Sequence, residues 1–156
     1  MNQSTTSAFS DRVLILGVSD LTPILVEVLE PDVEFLIIAK DAANLKPSIQ
    51  SSRILEGDPS PREILEEANI KDATVVIIAG DTDAHDAMAI LTVTELNSSV
   101  RIVAAASDRE NVEKLEHVGA DRVTSPDFLG SRLLIESAVM GKNIDELVEE
   151  FADHVH

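Results

Sequence analysis

The residues best placed to do chemistry fall in short stretches, and the first is Gly17-Val18-Ser19-Asp20-Leu21-Thr22. It follows the apolar run Val13-Leu14-Ile15-Leu16 and precedes Pro23. An apolar run, a glycine turn and a helix start bring backbone N–H groups and a helix N-terminus together. That arrangement favours an anion such as a dinucleotide pyrophosphate. The full phosphate-binding pattern is G-x-G-x-x-G, and its three glycine positions are filled here by Gly17, Ser19 and Thr22. Ser19 adds a Cβ where phosphates need close backbone approach, and Thr22 is bulkier than glycine at a helix–strand contact. The turn keeps the fold signal and loses part of the nucleotide signal.

A second group is Asp81, Asp83, His85 and Asp86, at the start of a long helical pattern. Asp81, Asp83 and Asp86 could ligate a divalent cation through carboxylate oxygens. The same acids also compensate a helix dipole, worth up to about 1 kcal/mol each. Asp58, in Gly57-Asp58-Pro59, lies on the same edge and can equally cap the helix after it. His117 precedes Gly119 as a surface position, and His154 and His156 stand in the C-terminal tail. There is no G-x-S-x-G elbow and no pair that suggests acid–base catalysis, so no enzyme is expected.

Alternating β and α patterns must position these groups. Strands are expected over 13–16, 33–39, 52–56, 73–79, 99–106 and 122–124. The first helix should start with Thr22 as N-cap and Pro23 at N1, burying Ile24, Leu25, Val28 and Leu29. A short second helix is expected over 42–49, weakened by Pro47. Ser60 to Glu63 and Ser107 to Glu110 read as capping boxes. A helix from Ser125-Pro126 runs to about Met140, and Asn143 to Glu146 caps a last one with Ile144, Leu147, Val148 and Phe151 apolar. The fold class is therefore α/β, a Rossmann-like doubly wound parallel sheet of about six strands with one or two C-terminal crossover helices. Residues 1–11 read as a flexible leader, 12–124 as the sheet domain and 125–156 as dimerisation helices. Those helices follow the completed sheet, so their apolar stripe is expected to meet a second copy of the chain.

Composition narrows the partners. The 156 residues carry a formal charge of −17, from 29 acidic against 12 basic side chains. Nucleic acid and anionic lipid both need basic patches, so neither is an expected partner. The acids are spread along the chain, as in a solubility-driven acidic surface, and cation attraction is the alternative. No apolar run approaches the roughly 18 residues a membrane span needs, and no signal pattern opens the chain, so a cytosolic location is expected. Cysteine is absent, which excludes disulfides and thiolate zinc sites.

Six blocks in order carry a family resemblance: Val13 to Gly17, Glu56-Gly57-Asp58-Pro59, the helix Glu63 to Ile70, Ala73 to Ile78, Val100 to Ala104, and Glu113 to Pro126. The last, ending Gly119-Ala120-Asp121-Arg122-Val123-Thr124-Ser125-Pro126, is the most specific. In this arrangement the chain resembles the regulator-of-potassium-conductance domain, the TrkA N-terminal nucleotide-binding family. The resemblance implies a cytosolic regulatory, ligand-sensing domain of a potassium channel or uptake system. Its partners would be itself, as a homodimer or larger ring, and a membrane subunit. It also implies NAD(H) or an adenine nucleotide at Gly17, Val18, Ser19, Asp20 and Leu21, at Lys40 and Asp41, at Gly57 and Asp58, and at Ala79, Gly80 and Asp81. The family's ribose-binding acid falls at Ala39, so with Ser19 and Thr22 three features of the nucleotide site are missing. Positions matching the family's calcium carboxylates are Ala79, Ala105 and Ser107. The family's C-terminal ligand-binding subdomain has no counterpart, so the chain is expected to be the core unit alone. A ligand-free assembly scaffold and a fragment of an NAD(P)-dependent oxidoreductase are the alternatives.

Overall fold

The computed structural model describes residues 11–29, 31–41, 45, 49–141, 143 and 145–149. The first ten leader residues, the short helix expected over 42–49 (apart from Leu45 and Ile49), Ile144, Phe151, His154 and His156 lie outside them. Two units divide the chain, Met1–Thr124 and Ser125–His156.

The first unit is built on a sheet of six parallel strands: β1 Arg12–Leu16, β2 Glu34–Ala39, β3 Ile54–Glu56, β4 Val75–Ile78, β5 Arg101–Ala105 and β6 Arg122–Thr124. Their order is β3-β2-β1-β4-β5-β6, with all five pairings parallel. This is the expected fold class. The chain winds outward from β1 in one direction and from β4 in the other, leaving a crevice at the carboxyl ends of β1 and β4. Among the described residues, four helices connect the strands: α1 Thr22–Val28, α2 Arg62–Glu67, α3 Asp83–Leu96 and α4 Val112–His117.

Both sheet faces are covered, so the strands read as continuous apolar runs. On one face Leu14 and Leu16 pack with Ile38, Val76, Ile78, Leu65, Ile90 and Leu115. On the other, Val13 and Ile15 pack with Phe35 and Ile37, joined by Leu25, Val26 and Leu29 of α1 and its end. The α1 stripe is thus Thr22, Leu25, Val26 and Leu29, spaced i, i+3, i+4, i+7, while Ile24 and Val28 face outward. Burial of Thr22 rotates this short helix away from the expected phase.

Three expected caps are also corrected. Thr22 is the first residue of α1 and its hydroxyl serves the preceding turn. Ser60 does not cap α2: its N–H and hydroxyl both donate to Asp58. Ser107 is likewise drawn off, its N–H donating to Asp83, and a 3-10 turn at Arg109–Asn111 opens the segment instead.

In the second unit, α5 spans Pro126–Met140 and ends on Gly141 at φ 69°. Leu134, Ile135, Val139 and Met140 are exposed, Val139 by 76%. Asn143 accepts from Glu146 N–H at 2.8 Å and donates its side-chain amide to the Glu146 carboxylate, so Asn143 caps helical residues 145–149 as expected. Leu147 is buried and Val148 exposed. No helix among the described residues is long and apolar enough to cross a membrane.

A candidate ligand cleft at the carboxyl edge of the sheet

β1 and β4 end side by side on glycine. Gly17 takes φ +90° and its N–H donates to Ile38 C=O at 2.8 Å. A Cβ on Gly17 would sit 2.6 Å from Gly80 Cα, so two bare backbones meet at the floor of the crevice. Gly80 N–H donates to Asp86 Oδ2 at 3.1 Å, and a Cβ on Gly80 would collide with that carboxylate. Asp86 is only 3% exposed. Burial, with smaller pushes from Asp83 and Asp81, raises its carboxyl to about 7 against the Gly80 hydrogen bond and His85.

The turn after Gly17 is closed by its own side chains. Thr22 Oγ1 accepts from Ser19 N–H at 3.0 Å, and Ser19 Oγ accepts from Leu21 N–H at 3.2 Å. The two residues that replace the later glycines therefore occupy amide donors a phosphate would otherwise use.

Around this floor lies a cleft of about 110 Å³ lined by Gly17, Val18, Ala39, Lys40, Asp41, Pro59, Gly80, Asp81 and His85. Of the residues expected at a cofactor site, Gly17, Val18, Lys40, Asp41, Gly80 and Asp81 meet here. Ser19, Asp20 and Leu21 stand in the adjoining turn, Gly57 and Asp58 in the turn after β3, and Ala79 is buried at the end of β4. Asp58 reaches the cleft through its partners: His85 Nε2 lies 2.9 Å from its Oδ1, and Lys40 Nζ 3.9 Å from its Oδ2. Partial burial raises the Asp58 carboxyl, but the Ser60 hydrogen bonds and the charges of His85 and Lys40 outweigh it and hold it below its ordinary value.

Sequence reasoning missed His85 and Pro59 as cleft walls. In the sequence His85 stands among neighbouring acids, and its contact with Asp58 joins positions 27 residues apart. Only the strand order could have shown that pairing.

The acids considered as cation ligands have separate tasks. Asp83 accepts from Ser107 N–H at 2.8 Å, Asp108 N–H at 3.1 Å and Asn111 Nδ2 at 2.9 Å, tying the loop after β5 to the start of α3. Burial raises its carboxyl, yet these donors together bring it below the ordinary value. Asp86 holds Gly80, and Asp81 lines the cleft. Among the described residues no group of three His, Cys, Asp or Glu could hold a metal ion.

The TrkA-N domain family model matches residues 13–126. Probable potassium channel protein 2 of Methanocaldococcus jannaschii is 30% identical over 142 residues, covering 88% of this chain and 41% of the relative. The chain spans less than half the length of the curated relatives it matches. Among solved structures, the GsuK channel bound to NAD is similar at TM-score 0.72 and 26% identity, covering 81% of this chain and 23% of that one. GsuK bound to ADP gives TM-score 0.74 at 25% identity, covering 87% and 36%. With the match running from the first residues of β1 to the start of α5, the chain belongs to the TrkA-N domain family.

Proposed function

We propose that this chain is a regulatory, ligand-sensing domain for potassium transport, acting on the cytosolic side, and that its cleft takes an adenine nucleotide. The observation that carries the reading is the crevice floor, where the Gly17 and Gly80 backbones meet at the point where strand order reverses. Relatives described as potassium channel proteins, and similar structures holding NAD and ADP, support it. In this reading Gly17 and Gly80, lacking a Cβ, let the phosphates approach the crevice floor closely, while Lys40 supplies the cation at the rim. The cleft is smaller than the roughly 300–1,000 Å³ of pockets that enclose a small molecule, so a nucleotide would lie across its mouth.

The exposed apolar side chains of α5 supply a surface for a second copy of the chain, and a channel or transporter subunit is the further partner. A nucleotide that binds one arrangement of paired domains better than another shifts the pair toward it, and that shift can be passed to an attached pore. No residue in the cleft is assigned a catalytic role. One observation favours a second reading, an assembly scaffold without ligand: Ser19 and Leu21 N–H groups are already satisfied within their own turn.

Thermal unfolding with NAD, NADH, ADP, AMP and calcium added singly tests these readings. A ligand at 100 times its dissociation constant adds about 2.7 kcal/mol, a shift of several degrees in a domain this size. A shift with one nucleotide is the expected result; no shift with any at millimolar concentration leaves assembly as the function.

A further inference from the structure

We infer that Asp58, on the loop after β3, is the carboxylate that receives a nucleotide's ribose hydroxyls and so selects ribonucleotides over deoxyribonucleotides. The inference rests on the nucleotide reading of the cleft. β2 ends on Ala39, whose methyl group is 2% exposed and offers no acceptor, and Lys40 beside it can only donate. A carboxylate over the ends of β2 and β1 must therefore come from the residues after the strands, of which Asp41 lines the cleft and Asp58 is held by partners that line it.

Sheet order places Asp58 there. In the order β3-β2-β1-β4, Asp58 follows β3 and His85 stands in the first turn of the helix after β4. Their side chains meet at 2.9 Å, so the contact carries the carboxylate across the ends of the two strands between them. Two partners of the carboxylate, His85 and Lys40, line the cleft, which places Asp58 at its edge.

Its two oxygens differ. Oδ1 accepts from Ser60 N–H at 2.9 Å and Ser60 Oγ–H at 2.8 Å and lies 2.9 Å from His85 Nε2, which fixes the side chain. For Oδ2 the cation contact is Lys40 Nζ at 3.9 Å, beyond hydrogen-bonding distance, so its lone pairs can take hydroxyl donors. Hydrogen bonds to an ionised acceptor are the stronger kind, and a site built to bond a hydroxyl rejects the analogue that lacks it.

The test is calorimetric titration of ADP and 2′-deoxy-ADP into the wild-type chain and the Asp58→Ala, Asp58→Asn and Asp41→Ala variants. Asp41 is included because it also lines the cleft. Wild type should favour ADP by about tenfold or more. Asp58→Ala should bring that ratio near one while deoxynucleotide binding changes little. Asp58→Asn keeps an oxygen for the Ser60 bonds and should lower the ratio in a chain that retains its fold. Asp41→Ala should leave the ratio as in wild type. Equal binding of both nucleotides to wild type overturns the inference. So does parallel weakening of both in the Asp58 variants, or collapse of the ratio in Asp41→Ala. Absence of binding by either nucleotide to wild type overturns the nucleotide reading itself, and the inference with it.

Discussion

Three aspartates within six residues at the start of α3 and its approach do different work, and their neighbours decide which. Asp83 gathers three donors from the loop after β5, so Asp83→Ala leaves two backbone N–H groups and an amide unpaired. We expect a loss of about 2 kcal/mol in chemical denaturation, with Asp83→Asn retaining part of it. Asp86 is the opposite case: its native carboxyl is raised to about 7 from an ordinary 3.8. The folded state holds this proton more tightly than the unfolded one, so stability from this group is present at low pH. It is lost as pH rises from about 4 through 7. Asp86→Asn keeps an acceptor for Gly80 N–H without the buried charge. It should gain about 1–3 kcal/mol at pH 8 and flatten the stability profile between pH 4 and 7 in urea titrations. None of this could be read from the sequence, because spacing shows acids near a helix start but not the loop 24 to 28 residues away that Asp83 anchors. The same limit explains the caps at Ser60 and Ser107, where nearby aspartates outcompete the local pattern.

At the scale of elements, strand identity followed directly from apolar runs separated by helical stretches, whereas the order β3-β2-β1-β4-β5-β6 came from the structure. Val13 to Leu16 and Val75 to Ile78 are buried or partly buried along their length, the pattern of a sheet covered on both faces. The phase of α1 was not legible, since it depends on Thr22 being buried beneath a turn that its own hydroxyl closes. Gly17 was legible as a turn residue, and the structure adds the reason it resists replacement. Gly17→Ala puts a side chain at φ +90° and within 2.6 Å of Gly80 Cα. A loss of roughly 2–4 kcal/mol is expected, read as a lower melting temperature, with weakened nucleotide binding in whatever fraction folds. Ser19→Gly acts differently: it removes the hydroxyl that holds Leu21 N–H at 3.2 Å and returns that donor to the turn. Tighter nucleotide binding is the expected outcome, measured by the shift of melting temperature at fixed ADP concentration.

For the molecule as a whole, α5 exposes Leu134, Ile135, Val139 and Met140, an apolar surface that a second copy would cover. Replacing Leu134 and Val139 together by Asp should shift the sedimentation equilibrium toward monomer, with the melting temperature of the sheet unit little changed. Unchanged association would move the contact to another surface. A net charge of −17 places any copy-to-copy contact under repulsion, so association should strengthen as salt rises. The central claim concerns the cleft, and amide chemical-shift mapping by NMR during an ADP titration tests it most directly. The account predicts saturable shifts concentrated at Gly17, Val18, Lys40, Gly80, Asp81 and His85, the residues that line the crevice between β1 and β4. Shifts absent at millimolar ADP, or clustered away from that crevice, would contradict it.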